Sequence, residues 1–314
     1  MVQNLSQTAP HITILLCTCN GAAFLPEQLD SYLRQSHDNW SLWVSDDGST
    51  DATPDILRAF QRDHGGTHDI RLLDGPCQGR AALNFMQLIC HPDLPAGYVA
   101  LSDQDDIWLP FKLERALDHL EGQAGPVLYS AWNVYIDDAG TRIGGRRIPR
   151  GLPVFETAMM QNFMPGHAMV FNPDGLALVR QAGVPGDIAY HDWWLTLLFT
   201  ATDNMIQLDL EPVVLYRQHG SNVLGAPGGL RAGLQRIGKV FGRNYGDWVA
   251  ANARALQAVN PMLTPAHQTA VARFLAAPRR GGPRRVWLLW RLGFYRQSRA
   301  ETVFIYLMAL FGRV

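Results

Sequence analysis

Apolar positions in the first third of the chain fall into two alternating patterns. Mostly apolar runs over residues 11–17, 40–45, 70–73 and 98–101 read as short strands of a buried sheet. Between them the apolar residues recur at helical spacing. Leu25, Leu29, Tyr32 and Leu33 fall at i, i+4, i+7 and i+8, and Ala82, Phe85, Met86 and Ile89 form a second stripe. Leu113, Ala116, Leu117 and Leu120 form a third, in a helix that Pro110 starts. Thr50 or Asp51 is placed to cap the helix after the second strand, with Pro54 in its first turn. Strand and helix in repetition predict an α/β fold, with a mostly parallel central sheet flanked by helices.

The pattern changes near Pro126. Strands are expected over residues 127–136, 168–171 and 213–218, with irregular segments between them. Beyond about Gly225 the chain turns helical and rich in arginine, with no internal repeat. The expected organisation is one α/β domain over residues 1–225 followed by a helical C-terminal extension over 226–314.

Composition changes this picture little. The formal net charge of the 314 residues is −1, which gives no reason to expect a nucleic-acid partner. Residues 1–10 carry neither a charged nor an apolar leader, so no signal peptide is expected, and no apolar run is long enough to cross a bilayer. Cys17, Cys19, Cys77 and Cys90 lie at unpatterned spacing. Cys17 and Cys19 resemble half of a zinc site without a second half, so reduced cysteines and a cytoplasmic location are expected.

Candidate chemistry gathers where the predicted strands end. Asp46 and Asp47 follow the second strand, and Asp103, Asp105 and Asp106 follow the fourth. Open α/β sheets bind ligands beyond the carboxyl ends of their strands. Carboxylates crowded at such a rim repel one another unless a cation or donor groups satisfy them. Oxygen clusters of this kind suit magnesium or manganese bound together with phosphates. An Asp-x-Asp tripeptide by itself also reads as a solvated acidic loop; its place between an apolar strand and a proline-started helix favours a site.

Three segments sharpen that reading: Ile14-Leu15-Leu16-Cys17-Thr18-Cys19-Asn20-Gly21, Glu27-Gln28-Leu29-Asp30-Ser31, and Val44-Ser45-Asp46-Asp47-Gly48-Ser49-Thr50-Asp51. In this order they resemble the opening of family 2 glycosyltransferases with the GT-A fold. Leu101-Ser102-Asp103-Gln104-Asp105-Asp106-Ile107-Trp108 resembles the metal-binding segment of that family, and the resemblance covers residues 11–225. It implies a nucleotide-sugar donor held by Cys17, Thr18, Asp46, Asp47, Arg80 and Asp103, with Asp103 toward the ribose or the outer shell of the metal. It implies Mn2+ or Mg2+ on Asp105, with His219 completing the shell and Arg217 pairing with phosphate. Gly166 and His167 would line the acceptor side. Asp192, in Tyr190-His191-Asp192-Trp193-Trp194, matches the catalytic base of the family, although His191 stands where a glutamate is usual and Cys19 where a tyrosine is usual. Read without the resemblance, Asp192 is also a favourable helix-start charge, Arg80 an exposed helix-start arginine, and His167 and His219 ordinary structural histidines.

A one-step displacement with Asp192 as base would invert the anomeric carbon. The motifs most resemble the rhamnosyltransferase-like branch, implying dTDP-L-rhamnose as donor and a cell-surface glycan or lipid-linked acceptor. A nucleotidyltransferase and a catalytically inactive scaffold are the alternatives; the early glycine-rich basic loop that the first needs is missing. Strand one is not followed by Gly-x-Gly-x-x-Gly, which argues against a dinucleotide oxidoreductase.

Residues 279–314 hold eight Arg, no Lys and a single acid, Glu301. With Trp287-Leu288-Leu289-Trp290 they suggest either peripheral contact with the cytoplasmic face of a membrane or a helix packed on protein. The oligomeric state is open.

Overall fold

The computed structural model describes residues 9–145, 151–219, 243–278 and 280–314. The chain opens with β1 (Ile12–Thr18), α1 (Leu25–Leu33), β2 (Trp40–Asp46), α2 (Thr53–His64), β3 (Ile70–Asp74), α3 (Ala81–Ile89) and β4 (Tyr98–Ser102). This is the strand–helix repetition that the apolar pattern predicts. The capping residue differs in detail. α2 begins at Thr53, and Asp51 Oδ1 accepts from Thr53 N at 2.9 Å, so Asp51 caps from one residue outside the usual position.

Then follow β5 (Ile107–Trp108), α4 (Lys112–Leu120), β6 (Val127–Ile136), β7 (Arg142–Gly145), α5 (Phe155–Ala158), β8 (Val170–Phe171), α6 (Pro173–Ala182), α7 (His191–Ala201) and β9 (Met205–Arg217). The chain closes with α8 (Arg243–Ala258), α9 (Pro265–Ala276), α10 (Pro283–Arg291) and α11 (Arg299–Leu310).

One mixed sheet runs in the order β3-β2-β1-β4-β8-β6-β9-β5, with β7 paired to β6. The first four strands are parallel, with Ile14 opposite both Leu42 and Ala100. Antiparallel pairing enters through β8, between β4 and β6. Two expectations for the second half change in extent. β9 starts at Met205 instead of Val213, and its ladder with β6 shifts register around Trp132, opposite Pro212. Proline has no N–H to give the ladder, so the long strand reads as two pieces. Only Val170–Phe171 of the expected strand over 168–171 pairs, because Gly166–Ala168 form a tight 3₁₀ turn.

Strand periodicity divides the core between the two sheet faces. Ile12, Ile14 and Leu16 of β1 pack with α1, α2 and α4, while Leu15 and Cys17 point to the other face. That second face carries α3, α6 and α7. α7 is buried on every side from Trp193 to Ala201, as a helix apolar all round must be. Its outer side is covered by the C-terminal helices. Tyr245, Val249 and Leu256 of α8, Phe274 of α9, Leu289 of α10 and Ile305 of α11 join the same cluster as Phe85 and Trp194. The expected boundary near residue 225, like Gly220, Ser221 and Asn222, lies outside the described residues. Among the described residues no helix is long and apolar enough to cross a membrane.

Candidate active site

The carboxyl ends of β1, β2 and β4 meet on one rim, and their polar residues tie that rim together. Thr18 Oγ1 donates to Asp46 Oδ1 at 2.7 Å, and Ser49 donates to the same carboxylate from its N (2.9 Å) and its Oγ (2.6 Å). Asp46 therefore closes the β2 turn. The carboxylate of buried Asp47 accepts from Gln78 N at 3.2 Å, which joins the β3–α3 loop to the rim. Cys17 lies beneath, its thiol pushed well up by burial and then by Asp103 and Asp47. Arg80 points away along α3, donating to Asp187 Oδ1 (2.8 Å) and the Ile188 carbonyl (3.1 Å).

The loop after β4 turns Asp103 and Asp106 toward His167 and Asp105 toward His219. Gln104 between them pairs with the Cys19 backbone, accepting from Cys19 N (2.8 Å) and donating to Cys19 O (3.0 Å). That amide bridge fixes the loop against the end of β1. Asp105 turns toward His219, whose Nε2 stands 2.7 Å from Asp105 Oδ2. The His219 ring leans on Phe24, with centroids 4.9 Å apart. Asp106 is fully buried, its Oδ1 accepting from Arg217 N at 3.1 Å. Its Oδ2 has no hydrogen-bond partner among the described residues and lies 3.6 Å from His167 Nδ1.

Arg217 has a different job from the phosphate contact that the resemblance implies. The side chain is buried and donates to Asp105 O (3.1 Å), Asp138 O (2.8 Å) and Glu27 Oε2 (2.8 Å). Its guanidinium also covers the Phe24 ring at 4.7 Å. It clamps the end of β9 to the acidic loop.

His167 sits inside the cluster. Asn133 Nδ2 lies 2.8 Å from His167 Nε2, an arrangement that keeps the proton on Nδ1, 3.8 Å from Asp103 and 3.6 Å from Asp106. Tyr216 stacks on the ring at 4.6 Å. Ligand atoms of Asp103, Asp106 and His167 all fall within 4.8 Å of one another. Below them Lys112 is buried, donating to the His167 carbonyl at 2.7 Å and lying 3.1 Å over the Trp108 ring. Burial pushes its ammonium well down, and Asp106 and Asp103 oppose that shift.

Asp192 completes the rim from the far side. It opens α7, with Oδ1 accepting from Trp193 N at 2.8 Å. Trp193 Nε1 donates to Ala158 O at 2.6 Å, which anchors that end of the helix. His191 stacks on Phe85 at 4.0 Å, and its Nε2 is buried without a hydrogen-bond partner among the described residues. Burial lowers the pKa of the ring, with Asp192 opposing that shift. Gly166 makes room for both. A Cβ there would stand 2.7 Å from His191 Nε2 and 2.9 Å from Asp192 Cβ.

The electrostatics bring the carboxylates into one cleft. The Asp103 carboxyl is pushed up to about 7 by burial, then by Asp105 and Asp192, with Lys112 pulling it back. Asp105 and Asp192 thus both act on Asp103. A divalent cation would relieve this repulsion, and carboxylates with an imidazole are a donor set that manganese and magnesium accept.

Of the residues singled out from sequence, Thr18, Asp46, Asp47, Asp103, Asp105, Gly166, His167, Asp192 and His219 gather around this rim. Cys17 lies under it, and Arg80 is tied to the loop before α7. Lys112 and Asn133 escape sequence reasoning, while Gln28, Ser102 and Gln104 stand in the quoted motifs and Tyr32 in a helix stripe without an individual role there. Tyr32 OH lies 2.6 Å and the Gln28 side-chain amide 2.7 Å from Ser102 Oγ, which sets the start of the acidic loop. Lys112 left one signal: with Ala116 and Leu120 it falls at i, i+4 and i+8, on the inner face of its helix.

The chain is similar to known proteins in sequence and in fold. The family model "Glycosyl transferase family 2" matches residues 13–183, from β1 to the end of α6. The dTDP-rhamnosyl transferase RfbG of Shigella flexneri is 30% identical over 252 residues, 77% of this chain and 84% of that protein. The fold matches the mannosyltransferase PcManGT from Pyrobaculum calidifontis in complex with GDP-Man and Mn2+ (TM-score 0.52, 19% identity, 97% of this chain and 86% of that one). It also matches S. aureus TarS 1-349 in complex with UDP-GlcNAc (TM-score 0.51, 13% identity, 83% and 86% covered). The sheet is thus of the GT-A type, and the chain belongs to glycosyl transferase family 2.

Proposed function

We propose that this glycosyltransferase is metal-dependent and inverting, moving L-rhamnose from dTDP-L-rhamnose to a hydroxyl of a cell-surface glycan or lipid-linked acceptor. The observation that carries the reading is that Asp105, paired with His219 at 2.7 Å, and Asp192 both lie close enough to Asp103 to act on its carboxyl. The donor assignment draws on the relative named as a dTDP-rhamnosyl transferase. The metal assignment draws on the donor set itself and on the Mn2+ in the mannosyltransferase complex of the same fold.

In this reading Asp105 and His219 would hold Mn2+ or Mg2+, which would offset the charge that develops on the departing diphosphate. The buried Asp106 orients His167 and the β9 end. Thr18, Asp46, Asp47 and Asp103 shape the nucleoside side, over buried Cys17. Asp192 takes the acceptor's hydroxyl proton on a carboxylate oxygen as that hydroxyl oxygen bonds to the anomeric carbon. The bond from that carbon to the diphosphate breaks on the opposite face, and the electron pair leaves with the nucleotide. Gly166 and His167 line the acceptor side, with His191 beside Gly166. A nucleotide-sugar donor puts this work on the cytoplasmic side of the cell envelope.

Transfer assays test the roles separately. Asp105→Ala is expected to abolish both Mn2+-dependent nucleotide binding and transfer; Asp192→Ala is expected to abolish transfer alone. Full transfer by either variant would remove the assignment.

A further inference from the structure

α10 and α11 present an apolar face that the catalytic reading does not use. Their inner sides are fixed: Leu289, Ile305 and Ala309 are buried in the core. Arg285 is spent on holding them, donating to Val314 O (3.0 Å) and Phe274 O (3.2 Å) while lying 4.4 Å over the Phe274 ring. Gly281 lets the backbone pass within reach of the Leu310 carbonyl, where a Cβ would stand 2.4 Å away. The outer sides carry the opposite of what a solvated surface carries. Trp287 is 60% exposed, Trp290 62% and Phe311 74%. Between the helices runs a groove of about 480 Å³, with Val286, Trp287, Trp290, Val303, Leu307 and Leu310 among its lining.

The charged residues of the two helices and their flanks are almost all of one sign. Arg280, Arg284, Arg291, Arg299 and Arg313 are all exposed. Glu301 is the single acid in residues 279–314, and it already accepts from Arg296 Nε at 3.2 Å.

We propose that the outer face of α10 and α11 docks the protein on the surface of an anionic phospholipid bilayer. Indole rings favour the headgroup boundary, where the apolar body and the N–H each find a partner. The exposed arginines meet lipid phosphates. Helices of 9 and 12 residues lie in the interface and do not span it. A second copy of the chain is the competing occupant. A two-fold contact through this face would set the two arginine rims against each other, whereas lipid phosphates complement them. The proposal stands apart from the choice of donor sugar.

Vesicle co-sedimentation of the full chain tests it, with phosphatidylcholine vesicles compared with equal parts phosphatidylcholine and phosphatidylglycerol. The wild type is expected to bind the anionic vesicles at least about a hundredfold more tightly, and less so as salt rises. Trp287→Ser with Trp290→Ser is expected to lose about tenfold or more on the anionic vesicles. Arg284→Gln with Arg291→Gln and Arg299→Gln is expected to lose about a hundredfold there and to leave binding to phosphatidylcholine unchanged. Stabilisation by dTDP with Mn2+, measured on the same samples, is expected to be equal in all three proteins, so a lost vesicle signal is not mistaken for misfolding or for a failed donor assignment. Equal binding to both vesicle types would overturn the proposal. So would absence of vesicle binding, whether the chain sediments as a monomer or as a dimer that the tryptophan variant abolishes.

Discussion

His219 Nε2 and Asp105 Oδ2 stand 2.7 Å apart although 114 residues separate them in sequence. The contact joins the loop after β4 to the end of β9, and Arg217, two residues before His219, holds the same two segments together through the Asp105 carbonyl. An imidazole and a carboxylate at this distance either pair with each other or share a cation. Replacing His219 by Ala is expected to weaken Mn2+ binding by roughly 10- to 100-fold, as loss of an orienting metal contact typically does. Titration of Mn2+ by calorimetry checks this, and an unchanged affinity would leave His219 a partner of Asp105 and nothing more.

Asp192 is placed to accept a proton, so the isosteric Asp192→Asn removes the base and keeps the shape. Turnover is expected to fall by about 10²- to 10⁴-fold, with nucleotide affinity unchanged. Steady-state kinetics beside nucleotide titration separates the two. A matching loss of donor affinity would move Asp192 from the acceptor side to the donor side.

Gly166→Ala tests the packing of the same corner. The added methyl would meet His191 Nε2 at 2.7 Å and Asp192 Cβ at 2.9 Å, both on the first turn of buried α7. Overpacking of this kind costs about 1–3 kcal/mol, and it displaces Asp192. Thermal unfolding and turnover should both fall, turnover by more. A variant with wild-type turnover would show that the base tolerates displacement.

Much of this cleft was legible in the chain because its acids stand at the ends of apolar strands. Asp46, Asp47, Asp103 and Asp105 follow runs that bury on both faces, and Asp192 heads a helix too apolar to lie anywhere but the core. The parts that escaped are polar groups whose partners come from far along the chain. Lys112 finds the His167 carbonyl and Asn133 finds the His167 ring, and neither pairing leaves a local trace. Arg217 was legible as a site residue but not in its role. An arginine at a strand end reads as an exposed phosphate ligand until the carbonyls of Asp105 and Asp138 are seen to surround it. The arginine-rich tail was ambiguous for the reverse reason: its helices bury one side in the core and expose the other, and one apolar stripe does not say which does what.

Proton linkage at Asp103 gives a pH prediction for the metal-free chain. Its carboxyl rises from the ordinary 3.8 to about 7 on folding, through burial first and then Asp105 and Asp192. Buried Asp106 shifts in the same direction. The folded state therefore binds more protons than the unfolded one between these values, and stability falls as pH rises through them. The melting temperature of the metal-free protein should decline from about pH 4 to about pH 7, less steeply in Asp103→Asn. Saturating Mn2+ should flatten the wild-type decline, since the cation replaces the proton. A metal-free melting temperature that rises over this range would contradict the shift.

The most direct measurement is thermal unfolding of the full chain with a panel of UDP-, GDP- and dTDP-sugars, each with and without Mn2+. A ligand that binds only the folded state adds about 2.7 kcal/mol at a hundred times its Kd. The predicted result is stabilisation by dTDP-L-rhamnose that requires Mn2+ and disappears in Asp105→Ala. Stabilisation that survives that substitution, or none from any nucleotide sugar with Mn2+, would contradict a metal-dependent transferase site at Asp105.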